Sequence, residues 1–84
     1  MENVLFALST CSACKKTREL LDRNNVKYIL VEADTIDIDS RTKIMVKLKT
    51  YNPRETFPTF VSNSGEKVIV GYNAELYKKE LNIE

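Results

Sequence analysis

Two cysteines spaced Cys-x-x-Cys, Cys11 and Cys14, lie between an apolar run and a segment rich in charge. The apolar run, Val4 to Leu8, has the length and composition of a buried strand. The segment from Lys15 to Asn25 is patterned as an amphipathic helix. The pair is therefore predicted to lie at a strand-to-helix junction, where two thiols can form a disulfide and reopen it. The chain has no other cysteine, so redox chemistry must use this pair or the thiols of a partner.

Size and charge exclude several classes of protein. The 84 residues suit one domain that covers residues 1–84. The 13 basic and 12 acidic side chains give a net charge of +1, which argues against nucleic acid as a partner. No apolar run approaches the roughly 20 residues that span a bilayer, and the first residues are not patterned as a signal peptide. We expect a cytoplasmic monomer that does not bind membranes, and in that compartment a lone Cys-x-x-Cys is more often redox-active or metal-binding than a static disulfide.

Apolar periodicity and turn residues predict the element order β-α-β-α-β-β-α. The predicted strands cover residues 3–8, 26–32, 59–61 and 67–70. The predicted helices run from Lys15 to Asn25, from a cap at Asp39 or Ser40 to Pro53, and onward from a cap at Asn73. The first two strands are joined by a helix and should be parallel, whereas the last two flank a turn at 63–65 and should form an antiparallel hairpin.

The position of Cys11 predicts that it is the nucleophile. Free backbone N–H groups and the helix dipole at a helix start favour an anionic thiolate. Lys15, which directly follows the motif, is predicted to strengthen this positive potential and so to tune the thiol. Cys14, one turn into the helix and on its inner side, is predicted to be the resolving thiol that attacks the mixed disulfide. The alternative is a structural role, as a buried pair or a fixed disulfide.

Two metal-binding alternatives also stay open. Cys11 thiolates from two chains, with two external thiols, can hold a [2Fe–2S] cluster, and the small residues Ser12 and Ala13 leave room for it. A zinc site at Cys11 and Cys14 would need ligands from outside the pair, because the chain has no histidine. The leading hypothesis is an exchanging dithiol with no tightly bound metal or cofactor.

A second group of candidate residues lies around the last two strands. A cis bond before Pro58 would turn the backbone N–H and C=O of Phe57 outward, toward an extended substrate segment. Arg54 offers a fork of donors to a substrate carboxylate, and Gly71 lets a ligand backbone approach closely. Each residue also has a structural explanation: Pro58 can simply begin a strand, Arg54 is a solvated charge by default, and Gly71 can simply end a strand. The predicted substrate-binding residues are Thr10, Ser12, Ala13, Arg54, Phe57, Pro58, Gly71 and Tyr72.

Taken together and in order, three motifs resemble those of the glutaredoxins, which belong to the thioredoxin superfamily. The motifs are Cys11-Ser12-Ala13-Cys14 after the first strand, Thr56-Phe57-Pro58-Thr59 before the third, and Gly71-Tyr72 after the fourth. The resemblance covers essentially the whole chain and implies a thioredoxin-like α/β fold, with a four-stranded mixed sheet flanked by three helices. It also implies a cis bond before Pro58 and thiol–disulfide exchange in which Cys11 attacks and Cys14 resolves.

The resemblance further implies partners. Phe57 matches the residue whose backbone pairs with substrate, and Arg54 matches a basic position that often contacts the glycine carboxylate of glutathione. Tyr72 and Asn73 stand where glutaredoxins usually have a Cys/Ser/Thr-Asp pair, so the Gly71-Tyr72 ending is more similar to the ribonucleotide-reductase redoxins. The expected partners are disulfide-containing proteins, with ribonucleotide reductase as one candidate. The expected electron donor is either glutathione or a thioredoxin-type reductase.

Overall fold

A computed structural model describes residues 2–83, and its elements follow the predicted order. The strands are β1 (Asn3–Ala7), β2 (Ile29–Glu32), β3 (Thr59–Ser62) and β4 (Lys67–Val70). The helices are α1 (Ser12–Arg23), α2 (Ile38–Tyr51) and α3 (Ala74–Leu81), and a short 3-10 turn covers Asn63–Gly65. None of the helices in this described part is long and apolar enough to cross a membrane.

The four strands form one mixed sheet in the order β2-β1-β3-β4. β1 and β2 are parallel, as the α1 connection requires, whereas β3 is antiparallel to both β1 and β4. β1 is therefore an interior strand, and its carboxyl end delivers the chain to the cysteine motif. This arrangement confirms the predicted thioredoxin-like fold of four strands and three helices.

Alternation along β1 divides the core between the two faces of the sheet. Leu5 and Ala7 face α1 and α3, while Phe6 faces α2. The cluster on the α1 and α3 face is the larger and consists of Leu5, Ala7, Cys14, Leu20, Leu21, Phe60, Ile69 and Tyr77. The cluster under α2 consists of Phe6, Leu48 and Val61. Each large apolar side chain buried in either cluster contributes roughly 1.5–3 kcal/mol, so the larger cluster, to which Cys14 belongs, contributes more to stability.

Cys11 stands at the start of α1, as predicted, but the helical segment predicted from Lys15 begins earlier in the structure. The helix begins at Ser12 rather than Lys15, because Cys11 acts as its N-cap. The Cys11 sulfur accepts a hydrogen bond from the N–H of Cys14 at 3.2 Å. The predicted start was late because cysteine is not among the usual capping residues.

The start of β2 also differs from the prediction. The strand begins at Ile29, whereas the apolar run predicted Val26. After α1, Asn25 adopts a φ of 57°, and the N–H of Val26 bonds back to the C=O of Leu21 at 2.9 Å. Val26 therefore belongs to the end of the helix, where a left-handed residue followed by an apolar one is a common way to stop.

The caps of the other two helices give one error and one confirmation. α2 is capped by Asp37, whose carboxylate accepts a hydrogen bond from the N–H of Ser40 at 3.0 Å, rather than by Asp39 or Ser40. That bond holds the pKa of Asp37 below its ordinary value. The cap of α3 is Asn73, as predicted.

Candidate functional site

Cys11 and Cys14 lie at the junction of β1 and α1 as free thiols with opposite exposure. Cys11 is half-buried, whereas Cys14 is 1% exposed and belongs to the larger core. The N–H of Cys14 donates to the Cys11 sulfur, and the N–H of Lys15 donates to the Cys11 carbonyl at 3.1 Å. Only Cys11 is therefore placed to meet a bulky disulfide from outside.

The surroundings of Cys14 keep its thiol protonated. Burial raises the pKa of Cys14 to about 12, and its hydrogen bond with Cys11 acts in the same direction. The charges of Cys11 and Asp34 raise this pKa as well, whereas the backbone of Leu8 lowers it. Cys14 therefore holds its proton at neutral pH as long as Cys11 is not bound in a disulfide.

The turn before Cys11 is fastened by Asp34, which the sequence patterns did not single out. One oxygen of Asp34 accepts from the N–H of Ser9 at 3.0 Å, and the other accepts from the Ser9 hydroxyl at 2.5 Å. These two bonds hold the pKa of Asp34 below its ordinary value. One signal was available: β1 and β2 are parallel, so the loops after them leave the same edge of the sheet.

The loop from Asn52 to Phe57 is organised by the side chain of Asn52, which is 3% exposed. Its amide group donates to the hydroxyls of Thr56 and Thr59, both at 3.0 Å. Its oxygen accepts from the N–H of Arg54 at 3.1 Å. The sequence did not single out Asn52 as the residue that organises this loop, because an asparagine between a helix and a proline has no distinctive pattern until its burial is known.

Pro58 and Gly71 are neighbours in the structure, whereas the sequence motifs gave only their order along the chain. The Phe57–Pro58 bond is cis, as the resemblance implied. The carbonyl of Pro58 accepts a hydrogen bond from the N–H of Gly71 at 2.8 Å. The ring of Phe57 packs against both core clusters, and Cys11 packs against the cluster that contains Cys14. Because Phe6 pairs with Thr59 and Thr59 pairs with Val70, the cysteine pair, the loop before Pro58 and Gly71 all lie at the same edge of the sheet.

Backbone groups at this edge of the sheet are free to bind. Within residues 2–83, neither the N–H nor the C=O of Phe57 forms a hydrogen bond. Gly71 has a φ of 81°, and a Cβ placed on it would meet no atom within 4 Å. Tyr72, which follows, is 38% exposed. The backbone of an extended peptide therefore has open space beside Gly71 and unpaired backbone groups at Phe57.

The other residues predicted for the site are exposed or half-buried. Thr10, Ser12, Lys15 and Arg54 are exposed, and Ala13 is half-buried. The guanidinium of Arg54 has no hydrogen-bond or ion-pair partner in the part of the chain that the structure describes. The role of Arg54 toward a substrate carboxylate stays a prediction, because the same exposure suits a solvated charge.

Two of the cavities among the described residues differ in their relation to the thiols. An open cleft of about 450 Å³ runs past Cys11 along α1 and is lined by Leu8, Ser9, Lys15, Arg18, Glu19 and Asp22. A more enclosed cavity of about 210 Å³ lies between the sheet and α2, among Phe6, Val31, Ile44 and Tyr51. The second cavity is on the opposite face from Cys14, so it takes no part in the chemistry of the pair.

Metal binding receives no support from neighbouring side chains. Among residues 2–83, no group of three or more His, Cys, Asp or Glu side chains is placed to hold a metal. A zinc site or an iron–sulfur cluster at Cys11 would need ligands from a second chain or from external thiols. Those two alternatives stay predictions.

Comparison with known proteins agrees with this geometry. The family model described as glutaredoxin matches residues 3–66. Methanoredoxin of Methanosarcina acetivorans has a TM-score of 0.90 and 32% identity, over 95% of this chain and 83% of that chain. The glutaredoxin of Methanosarcina mazei Go1 has a TM-score of 0.87 and 31% identity, over 95% and 77% of the two chains.

A third structure is similar to the same extent. The glutaredoxin of Archaeoglobus fulgidus has a TM-score of 0.87 and 30% identity, over 95% of this chain and 85% of that chain. Among curated protein sequences, none matches this chain significantly. The family match spans most of the chain, and these structures share both its fold and about a third of its residues, so the chain belongs to the glutaredoxin family.

Proposed function

We propose that this glutaredoxin is a dithiol oxidoreductase that reduces disulfides in other proteins. The observation that carries the proposal is the contrast within the motif, in which a half-buried Cys11 is hydrogen-bonded to a Cys14 that is 1% exposed. A pair kept only for packing would have both sulfurs in the core. Here one sulfur is accessible and the other is held behind it, which suits attack followed by resolution.

In the first step, the Cys11 thiolate attacks one sulfur of the target disulfide. A bond forms between that sulfur and Cys11, the target S–S bond breaks, and the departing thiolate takes up a proton from solvent. The N–H of Cys14 donates to the Cys11 sulfur and fixes that sulfur at the start of α1. Lys15, exposed on the next turn, adds positive potential at this point.

In the second step, Cys14 loses its proton and attacks the Cys11 sulfur. The Cys11–Cys14 disulfide forms, and the remaining target sulfur leaves as a thiolate. Two of the causes that raise the pKa of Cys14 come from Cys11, namely its hydrogen bond and its charge. Both are lost once Cys11 is in the mixed disulfide, so the pKa of Cys14 falls at the stage when it must act as a nucleophile.

The target is proposed to bind as an extended segment beside the pair. The unpaired N–H and C=O of Phe57 provide one donor and one acceptor for strand addition. Gly71 leaves space for the incoming backbone, and Tyr72 offers an exposed ring beside it. Thr10, Ser12 and Ala13 are proposed to line the near side.

An external two-electron donor is proposed to reopen the Cys11–Cys14 disulfide. Glutathione would place a carboxylate on Arg54, whereas a thioredoxin-type reductase would deliver electrons through its own dithiol. Ribonucleotide reductase is one candidate among the target proteins. Recycling of the oxidised protein by glutathione with its reductase, or by a thioredoxin-type reductase, distinguishes the two donors in a single coupled assay.

Trapping of the mixed disulfide tests the reaction itself. With a disulfide-containing protein such as insulin, the Cys14→Ser variant is expected to accumulate a covalent adduct on Cys11. The Cys11→Ser variant is expected to form no adduct and to lose reductase activity down to the uncatalysed level. Full activity of the Cys11→Ser variant would refute the proposed function.

A further inference from the structure

Tyr77 on α3 carries a hydroxyl that the packing of the core does not explain. The side chain is 0% exposed, and its hydroxyl oxygen has no hydrogen-bond partner among residues 2–83. A buried hydroxyl without a partner is costly, and phenylalanine would fill the same space without that cost. The ring itself is well held, edge-on to Phe60 with 5.8 Å between ring centroids. The unpaired hydroxyl therefore suggests a role that the resting state does not display.

Tyr77 and Cys14 belong to the same buried cluster, and Thr17, one turn after Cys14 on α1, is also 0% exposed. The Thr17 hydroxyl donates to the carbonyl of Ala13 at 2.9 Å, so its proton is already engaged. Thr17 lies beside the Tyr77 hydroxyl and lowers its pKa, but no hydrogen bond of good geometry joins the two.

Tyr77 and Cys14 also interact electrostatically. Burial raises the pKa of Tyr77 above its ordinary value, and the charge of Cys14 raises it further. Tyr77 therefore keeps its proton at any pH at which the protein would work. A phenol that stays protonated is a hydrogen-bond donor, and a thiolate at Cys14, in the same buried cluster, would be the acceptor that it lacks in the resting state.

We propose that the Tyr77 hydroxyl donates a hydrogen bond to the Cys14 sulfur as Cys14 attacks the mixed disulfide, an inference that rests on the proposed dithiol function. The Cys14 proton passes to solvent, and Tyr77 keeps its own. The S–S bond between Cys14 and Cys11 forms, the bond from Cys11 to the target breaks, and the target sulfur leaves with the electron pair. Tyr77 stabilises the sulfur anion that exists only between the loss of the proton and the attack.

Within residues 2–83, the other side chains of this cluster offer no free donor, and the nearby Thr17 hydroxyl is already bonded to the carbonyl of Ala13. Cys11 is part of the mixed disulfide at this stage. The Asp34 carboxylate is negative and raises the pKa of Cys14. The core residues that β1 and β3 place in this cluster are apolar, namely Leu5, Ala7 and Phe60. A buried thiolate at Cys14 therefore depends on Tyr77 and on backbone N–H groups.

The test compares Tyr77→Phe with a matched control, Tyr28→Phe, whose lost hydroxyl is bonded to Asp22 at 2.8 Å. Rapid quenching separates formation of the mixed disulfide from its resolution. For Tyr77→Phe we expect an unchanged first step, resolution about tenfold slower at neutral pH, and a pH profile of resolution displaced upward by about one unit. Tyr28→Phe is expected to leave both steps unchanged. The stability of Tyr77→Phe should equal or exceed that of the wild type, since the unpaired hydroxyl is gone.

A second measurement is independent of turnover. In a Cys11→Ser background, the rate of alkylation of Cys14 is expected to fall about tenfold on Tyr77→Phe at a fixed pH. Equal resolution rates, pH profiles and alkylation rates with and without the hydroxyl would overturn the inference and leave the proposed function standing. Absence of any mixed disulfide in the wild type and in Cys14→Ser would overturn both.

Discussion

Two loops border the cysteine pair, and they are held by different kinds of side chain. The turn from Leu8 to Cys11 is fastened by the carboxylate of Asp34, which is exposed and charged. The loop from Asn52 to Phe57 is fastened by the amide of Asn52, which is 3% exposed and neutral. One loop presents Cys11, the proposed nucleophile, and the other presents the unpaired backbone groups of Phe57, the proposed binding groups for substrate.

The difference between the two fasteners has physical consequences. Water and salt weaken an exposed charged contact, so its removal changes stability little, and its strength depends on pH. Removal of the Asn52 amide takes its donor away from the Thr59 hydroxyl, which is 0% exposed and cannot turn to water instead. We therefore infer that the loop from Asn52 to Phe57 is rigid and insensitive to pH. The turn from Leu8 to Cys11 should change its conformation more easily, in a way that depends on pH and salt.

The largest effect is expected for Asn52→Ala. The variant loses the bonds to the Thr56 and Thr59 hydroxyls and to the N–H of Arg54, so the free energy of unfolding should fall by about 2–3 kcal/mol. Urea denaturation at neutral pH measures this change. The matched control is Asn24→Ala, whose half-buried amide makes one bond, to the carbonyl of Leu20, and whose loss should be below about 1 kcal/mol. Equal losses for the two variants would contradict the rigid-loop interpretation.

An intermediate and pH-dependent effect is expected for Asp34→Asn. The pKa of Asp34 is lowered in the folded state by its bonds to Ser9, so its contribution to stability is present above the ordinary value of 3.8. That contribution is lost as the pH falls through the lowered pKa. Urea denaturation at several pH values should show a difference from the wild type at neutral pH that disappears in acid.

A matched control for the role of Asp34 at the site is Asp37→Asn. The pKa of Asp37 is lowered in the same way, by Ser40, but it lies at the start of α2. Both variants should change the pH dependence of stability, and only Asp34→Asn should change the rate at which Cys11 attacks a disulfide. If Asp37→Asn altered that rate equally, the Ser9–Asp34 contact would have no specific role in placing Cys11.

The smallest effect is expected for Arg54→Ala. Its guanidinium has no partner among residues 2–83, so the free energy of unfolding should stay within about 0.5 kcal/mol of the wild-type value. If glutathione is the donor, its KM should rise about threefold to tenfold, with less difference at high salt. Lys43→Ala, which removes an exposed charge on α2, is the control and should leave the KM unchanged. An unchanged KM in both variants would remove Arg54 from the binding site.

The sequence predicted the fold well because periodicity and local motifs determine most of it. β4 and the cap at Asn73 agree with the structure without correction. The errors fell at boundaries where a hydrogen bond decided the outcome. Val26 reads as the first residue of a strand, yet its N–H closes the end of α1. Whether an apolar residue closes a helix or opens a strand is decided by backbone hydrogen bonds, which the composition of the segment does not reveal.

The site was predicted only where a motif marks it. Cys11, Cys14, Pro58 and Gly71 follow from their spacing and order. Asp34 and Asn52 were not singled out, because what they hold together depends on contacts between distant parts of the chain, such as Ser9 with Asp34, or on burial. These contacts become visible only when the sheet order is known.

The most direct test of the account is the covalent state of each cysteine after reaction with one equivalent of a disulfide peptide. Mass spectrometry of the wild type should find a Cys11–Cys14 disulfide and released reduced peptide. In the Cys14→Ser variant it should find the peptide attached to Cys11. Attachment of the peptide to Cys14, or an unreacted wild-type protein with both thiols free, would contradict the assignment of Cys11 as the attacking thiol and Cys14 as the resolving one.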